Sequence, residues 1–335
     1  MNAPAADSAA ADSTPPAAAA PDRHTLGERI VSATVAIAAA HAAAKLLGLL
    51  QGRAIAHFFG GDAANDAYVV AYKGLIGSVF LLGEESLAPA YLPIFTAARE
   101  KGTEQDAWRF TSATLNLFFL VILGVVALLM LCPEEAIHWL TRLHVVEGEK
   151  GEALSRSALA VRFLFFLAPA LFGLSLGTMT YVVLVGYKRF FWAAFAEAGL
   201  KGAFVVALIA AYQAGLGADA LVAGVLAAGA AKIGIHLFAL RDKLRLWRPT
   251  LGLGDPRMGQ FFVLVAPLLA GALFAKFRDA FNYVWVLSSL PEGYLSINDY
   301  GRMTYSSIGW LVPYPLSIAM LPFLCEMVAR DDRRA

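Results

Sequence analysis

Three stretches of this chain, 110–131, 163–187 and 303–325, run for about twenty residues or more without one charged side chain. That length of apolar helix crosses the hydrocarbon core of a bilayer. Five further stretches, at about 30–57, 67–95, 190–212, 219–240 and 258–290, are apolar apart from a few ionisable groups. Ten-residue alternating segments, the mark of a membrane barrel, are absent from the pattern. The sequence therefore predicts an all-α polytopic membrane protein with eight transmembrane helices. Composition agrees, with 59% apolar and 16% charged residues, against about 45–50% and 25% in soluble domains.

Charge distribution tests the count. Eight spans put both termini on one side, and the N-terminus is assigned to the cytoplasm. Fifteen Lys and Arg then fall inside, from Arg23 and Arg29 through Arg99, Arg109, Lys188, Arg189 and the 241–257 cluster to Arg330, Arg333 and Arg334. Only Arg142, Lys150 and Arg156 fall outside. This is the positive-inside bias of membrane proteins. Residues 1–26, rich in Ala and Pro, read as a disordered cytoplasmic tail. Residues 242–257 read as a basic cytoplasmic loop, and 133–156 as the one sizeable outer loop, with a short interfacial helix over 133–143. A net charge of +1 gives no bulk attraction to nucleic acid.

Nine cations remain in or beside the spans: Lys45, Arg53, Lys73, Arg162, Lys201, Lys232, Lys276, Arg278 and Arg302. Four acids accompany them: Glu84, Glu85, Glu197 and Asp279. Each ionisable group at mid-bilayer costs about 2.5–3.5 kcal/mol on insertion scales. Glu197 and Lys201 stand at i, i+4 and are expected to neutralise each other. Lys276 and Asp279, at i, i+3, are expected to do the same. Arg162 and Arg302, near helix ends, are placed to snorkel to the interface. The remaining cations, Lys45, Arg53, Lys73, Lys232 and Arg278, still outnumber Glu84 and Glu85. Two readings stand: a cavity that draws in an anion, or scattered structural pairs. His41, Lys45, Gly48 and Gly52 share one helix face, and small residues beside cations leave room for a bulky polar group.

Pro and Gly recur inside the predicted spans, at Pro89, Pro93, Pro169, Gly173, Gly177, Pro267, Gly271, Pro313, Pro315 and Pro322, as in helices that bend between states. Gly173 to Gly177 fits a GxSxG pattern but lies in an apolar span without strand–turn–helix context. No phosphate loop or HExxH stands in the chain, and the six His show no metal-ligand spacing. Cys132 and Cys325 are too few and too far apart for a disulfide framework. The sequence calls for no enzyme activity, cofactor or metal.

Leu47-Gly48, Ala54-Ile55-Ala56, Phe59-Gly60, Asp66-Ala67-Tyr68, Ala71-Tyr72-Lys73, Gly83-Glu84 and Ala90 to Ile94 together resemble the MurJ/MviN family of lipid II flippases. Tyr187 to Phe190, Gly301-Arg302 and Leu321-Pro322 are similar to later landmarks of that family. The resemblance implies a fold of two six-helix lobes plus two helices. Residues 27–241 would form the N-terminal lobe, and 258–330 the first two helices of the second. It implies movement of an undecaprenyl-diphosphate-linked peptidoglycan precursor across a bacterial inner membrane by alternating access. Membrane lipids and cell-wall synthesis proteins would be further partners. Lys45, Arg53, Lys73, Arg278 and Arg302 would hold the diphosphate, with Asp66, Glu84, Glu85 and Asp279 as gating or charge partners. The chain departs from the family at Gln51, Gly52, Val79 and Phe80, where charged residues are usual. Export of another polysaccharide lipid, or a non-transporting scaffold of cell-wall synthesis, are the alternatives.

Overall fold

The computed structural model of the chain describes residues 23–59, 63–68, 71–72, 76–137, 150–281 and 313–330. Its helices are α1 Arg23–Phe59, α2 Ala63–Tyr68, α3 Gly77–Lys101, α4 Glu104–Leu131, α5 Lys150–Leu167, α6 Ala170–Gly186, α7 Phe190–Gln213, α8 Asp219–Ala239, α9 Pro256–Phe281 and α10 Pro313–Ala329. No strand occurs among the described residues. Each of the eight expected spans overlaps a described helix, with parts of 67–95, 258–290 and 303–325 outside the described residues. Four helices, α4, α7, α8 and most of α9, are long and apolar enough to cross a bilayer, and α5 with α6 makes a fifth as a bent pair. The 37 residues of α1 extend about 55 Å at 1.5 Å per residue, well beyond a hydrocarbon core of about 30 Å.

Local chemistry sets several boundaries. Thr103 caps α4: its Oγ1 accepts from the Asp106 N–H at 3.2 Å, while Asp106 Oδ2 accepts from the Thr103 N–H at 3.0 Å. This reciprocal box satisfies two amides that an N-terminus would otherwise leave bare. The expected single span at 163–187 is broken. Its two halves meet at 47° around Ala168 and Pro169, where proline lacks an N–H and crowds the preceding turn. The expected span at 67–95 is also divided. α2 ends at Tyr68 and α3 begins at Gly77, and between them Ala71, Tyr72 and Ile76 are π-helical, the wider turn that interrupts regular α-helix. The outer loop is shorter than expected, because Lys150 and Arg156 lie in α5. The tail and residues 138–149, with most of the interfacial helix expected over 133–143, lie outside the described residues.

The most intimate packing joins α7 to α8, followed by α1 with α7 and α6 with α8; α9 and α10 both pack on α3. Glycine lets α6 and α8 touch backbone to backbone. A Cβ at Gly173 would stand 2.4 Å from the Gly229 carbonyl.

The ends of six helices meet on one face through their charges. Lys243 Nζ lies 2.5 Å from Glu104, Arg189 Nη2 lies 2.5 Å from Asp242, and Arg330 Nε lies 2.8 Å from Glu100. Lys188 pairs with Glu326, and Arg257 donates to the Asp106 carbonyl at 3.1 Å. Lys188, Arg189, Lys243, Arg257 and Arg330, which charge alternation put on one side, therefore do share one side. Arg162 does not simply snorkel: its guanidinium lies 2.5 Å from Asp219, at the opposite end of α8.

Candidate functional site

The buried apolar residues form two separate clusters. One, towards the basic face, holds Ile37, Phe95, Phe110, Val183, Phe190 and Phe323. The other, towards the far face, holds Phe59, Tyr68, Ile122, Leu171, Phe204 and Leu221. On α1, α6, α7 and α8 polar and small residues stand on the inward faces between these clusters, while α1 turns Leu46, Leu49 and Leu50 outward. Ser175, Gly177, Thr178, Glu197, Lys201, Lys232 and Lys45 all lie at this level. The bundle is thus two apolar layers with a polar layer between them, near the middle of the spans.

The centre of that layer corrects the sequence expectation. Glu197 does not pair with Lys201. Its Oε1 lies 2.5 Å from Nζ of Lys232, whose side chain is 1% exposed. The reason is desolvation. A fully buried ammonium needs a counter-charge far more than a half-buried one, and Lys232 crosses from α8 to meet Glu197 on α7 at the tightest helix contact. Gly177 makes space for the Lys232 stem, since a Cβ there would come within 2.9 Å of Cγ and Cδ. One turn further along α8, the buried His236 has Nδ1 2.9 Å from Thr180 Oγ1 on α6. Lys232 therefore leaves the set of surplus cations, and Lys201 enters it.

Lys201 is half-buried and makes no ion pair among the described residues. Its side chain runs against α1 at Gly48, where a Cβ would lie 3.5–3.6 Å from Cδ, Cε and Nζ. On α1 itself, Lys45 and Arg53 are exposed, and a Cβ at Gly52 would meet nothing within 4 Å. Lys45, Gly52 and Arg53 are thus exposed, while Gly48 on the same expected stripe is covered by Lys201.

Of the other predicted site residues, Lys73 and Arg302 lie outside the described residues. Asp66 sits in α2, Glu84 and Glu85 in α3, and Arg278 and Asp279 in α9, with side chains that are not described; the same holds for Lys276. The pairing of Lys232 with Glu197 was missed because helix spacing reports only neighbours on the same helix. Grouping membrane-embedded charges across helices would have shown two lysines competing for one glutamate.

A separate depression of about 590 Å³ on the basic face is lined by Asp106, Arg109, Asp255 and Arg257 with Gly252, Gly254 and Pro256. Two cations against two carboxylates leave it no net pull on an anion. Nearby, Arg189 holds the Asp242 carboxyl below the usual carboxylate range through its hydrogen bond. The Tyr187 hydroxyl accepts from Trp108 Nε1 at 2.7 Å and donates to Glu104 at 3.0 Å.

Comparison with known proteins places this architecture. A probable lipid II flippase MurJ of Bdellovibrio bacteriovorus is 25% identical over 309 residues, covering 90% of this chain and 57% of that protein. The lipid II flippase MurJ of Thermosipho africanus is 28% identical over 152 residues, covering 45% of this chain and 29% of that protein. The chain therefore matches little more than half of the first relative's length and under a third of the second's. Among solved structures, a MurJ in the inward closed conformation superposes with a TM-score of 0.59 at 19% identity, over 81% of this chain and 54% of that one. A Vibrio cholerae MATE transporter in the bent form gives 0.73 at 11% identity, over 91% and 67%. At these identities the superpositions speak for the fold. The family model described as lipid II flippase MurJ matches residues 55–335, most of the chain, and the chain belongs to that family.

Proposed function

We infer that this chain serves in moving a lipid-linked, diphosphate-bearing peptidoglycan precursor, lipid II, across the bacterial inner membrane by alternating access. Its basic face lies in the cytoplasm. The observation that carries this reading is the open, cation-bearing face of α1. Lys45 and Arg53 stand exposed beside Gly52, which leaves space next to them, in a chain of the MurJ family. Lysine and arginine at membrane depth bind anionic groups or line polar paths. A diphosphate supplies the charge and the acceptor oxygens for both. Lys73, Arg278 and Arg302 extend the same cationic set, with Asp66, Glu84, Glu85 and Asp279 as charge partners that exchange during gating. The chain acts as a transporter and not as an enzyme, with cell-wall synthesis proteins as its cellular partners.

The test is flipping of fluorescent lipid II in reconstituted vesicles. The wild-type chain is expected to expose the lipid to an external quencher, and Lys45→Gln with Arg53→Gln together to abolish that exposure. Equal flipping by the double variant would remove the site. No flipping by the wild type would favour a scaffold role, consistent with Gln51, Gly52, Val79 and Phe80 at positions usually charged in the family.

A further inference from the structure

We propose that the depression of about 590 Å³ between the starts of α4 and α9 binds the headgroup of an aminophospholipid, phosphatidylethanolamine, from the leaflet on the basic face. Its phosphate sits on Arg109 and Arg257, and its ammonium on Asp106 and Asp255. The inference takes nothing from the transport reading.

Depth points to a lipid. Residues 110–131 of α4 and 258–275 of α9 carry no charge. Arg109 and Arg257 are thus the last charged groups before the apolar run on two helices, at the level of lipid headgroups. The segment leading into α9 forms the floor. Asn116 of α4 donates to the carbonyls of Arg248 at 2.9 Å and Thr250 at 2.8 Å. The Gly252 backbone lies so close that an added Cβ would stand 2.9 Å from Cβ of Ala113. The volume falls within the range of about 300–1,000 Å³ usual for small-ligand pockets. Beside it, Leu253 and Val263 are 64% and 73% exposed and offer apolar surface to acyl chains.

Charge selects the headgroup. Arg109 makes no hydrogen bond or ion pair among the described residues. Arg257 spends Nη1 on the Asp106 carbonyl at 3.1 Å and comes no closer than 3.9 Å to the Asp255 carboxylate. Each carboxylate commits one oxygen to a helix start: Asp106 Oδ2 to Thr103, and Asp255 Oδ1 to the Arg257 N–H at 2.9 Å. The second oxygen of each accepts no hydrogen bond among the described residues. A lone anion would meet two carboxylates here, and a lone cation two guanidinium groups. A ligand with both charges satisfies all four. The guanidinium fork matches phosphate oxygens, and a primary ammonium brings N–H donors to carboxylates. The trimethylammonium of phosphatidylcholine has no N–H, and phosphatidylglycerol has no cation.

The test titrates the full chain in detergent with phosphatidylethanolamine, phosphatidylcholine and phosphatidylglycerol of identical acyl chains, with each bound lipid counted by native mass spectrometry. The wild type is expected to prefer phosphatidylethanolamine to both others. Arg109→Gln is expected to weaken that binding by on the order of tenfold, the loss of one charge-assisted hydrogen bond. Asp255→Asn keeps an oxygen for the Arg257 N–H but removes the charge. It should weaken phosphatidylethanolamine binding, strengthen phosphatidylglycerol binding and so erase the preference, which a merely structural role for Asp255 would not do. Equal wild-type affinity for phosphatidylethanolamine and either other lipid would overturn the proposal, as would unchanged binding by Arg109→Gln or an unchanged preference in Asp255→Asn. Free glycerophosphoethanolamine binding as tightly as the lipid would overturn the lipid as the source. If Asp255→Asn fails to fold, Gly254→Leu fills the depression while keeping every charge, because a Cβ at Gly254 meets nothing within 4 Å. Unchanged phosphatidylethanolamine binding by that variant would equally overturn the site.

Discussion

The ammonium group of Lys188 lies 4.1 Å from the centre of the Phe323 ring. It also pairs with Glu326, one turn along the same helix. Lys188 adopts a left-handed backbone, with φ of 58°, uncommon for a residue with a side chain. Glu326 also holds Arg330 at 2.8 Å, and Arg330 reaches Glu100 of α3. A single chain of charges thus ties the α6–α7 turn, the end of α3 and α10 together on the basic face. Lys188→Met is expected to loosen α10 there. In a Cys132→Ala background, maleimide labelling of Cys325, half-buried in α10, should become several times faster. Labelling at the wild-type rate would show that α10 is held by its apolar contacts alone.

The Glu197–Lys232 pair gives a sharper thermodynamic expectation. Lys232→Met leaves a carboxylate without its partner, at a cost of about 3–5 kcal/mol. The double variant with Glu197→Gln should recover most of that loss. A thermal-unfolding cycle in detergent measures the coupling, and additive losses would mean that the two side chains do not act as a pair.

Glycines in this bundle should divide by what faces them. Gly173→Ala would drive a methyl group into the Gly229 carbonyl and is expected to cost about 1–3 kcal/mol, as overpacking does. Gly52→Ala and Gly124→Ala, with nothing within 4 Å of the new atom, should be neutral or slightly stabilising through helix propensity. The melting temperatures of the three variants decide the matter, and a Gly173→Ala protein as stable as Gly124→Ala would contradict the backbone contact.

The Arg189–Asp242 bridge gives a pH dependence of definite sign. The Asp242 carboxyl is held below its ordinary value by the hydrogen bond from Arg189. Its contribution is therefore present above the unfolded value of about 3.9 and is lost as pH falls through the lower folded value. Asp242→Asn should be less stable than wild type at neutral pH and approach it below about pH 4. A stability gap that stays constant down to pH 3 would refute the assignment. The pair is partly exposed, so the gap will be small.

Apolar windows such as 110–131 made the helices legible, because hydropathy over twenty residues leaves few alternatives. The basic face was legible for a similar reason: the alternation of Arg99, Lys188, Arg189 and Arg330 depends only on the order of the spans. The irregular segments were not, since the bend at Pro169 and the π-helical turn at Ala71, Tyr72 and Ile76 depend on packing that an average over a window hides. On α1, Lys45 and Arg53 could be singled out from the helix alone, because they are its only lysine and arginine in the apolar stretch. The partner of Glu197 could not. Lys201 stands four residues away and Lys232 thirty-five, and sequence spacing favours the near one, whereas burial favours the far one.

The link between α7 and α8 is a tight turn over 214–218, with Gly215 and Gly217 both at positive φ. Helices joined so closely enter the bilayer as one hairpin. Lys232 would resist insertion on its own helix, and Glu197 would resist it on the other, but the hairpin carries both and delivers them already neutralised. The ion pair at the centre of the lobe is therefore also a solution to biogenesis. Splitting that turn with a long polar insertion would strand each charge before the other arrived.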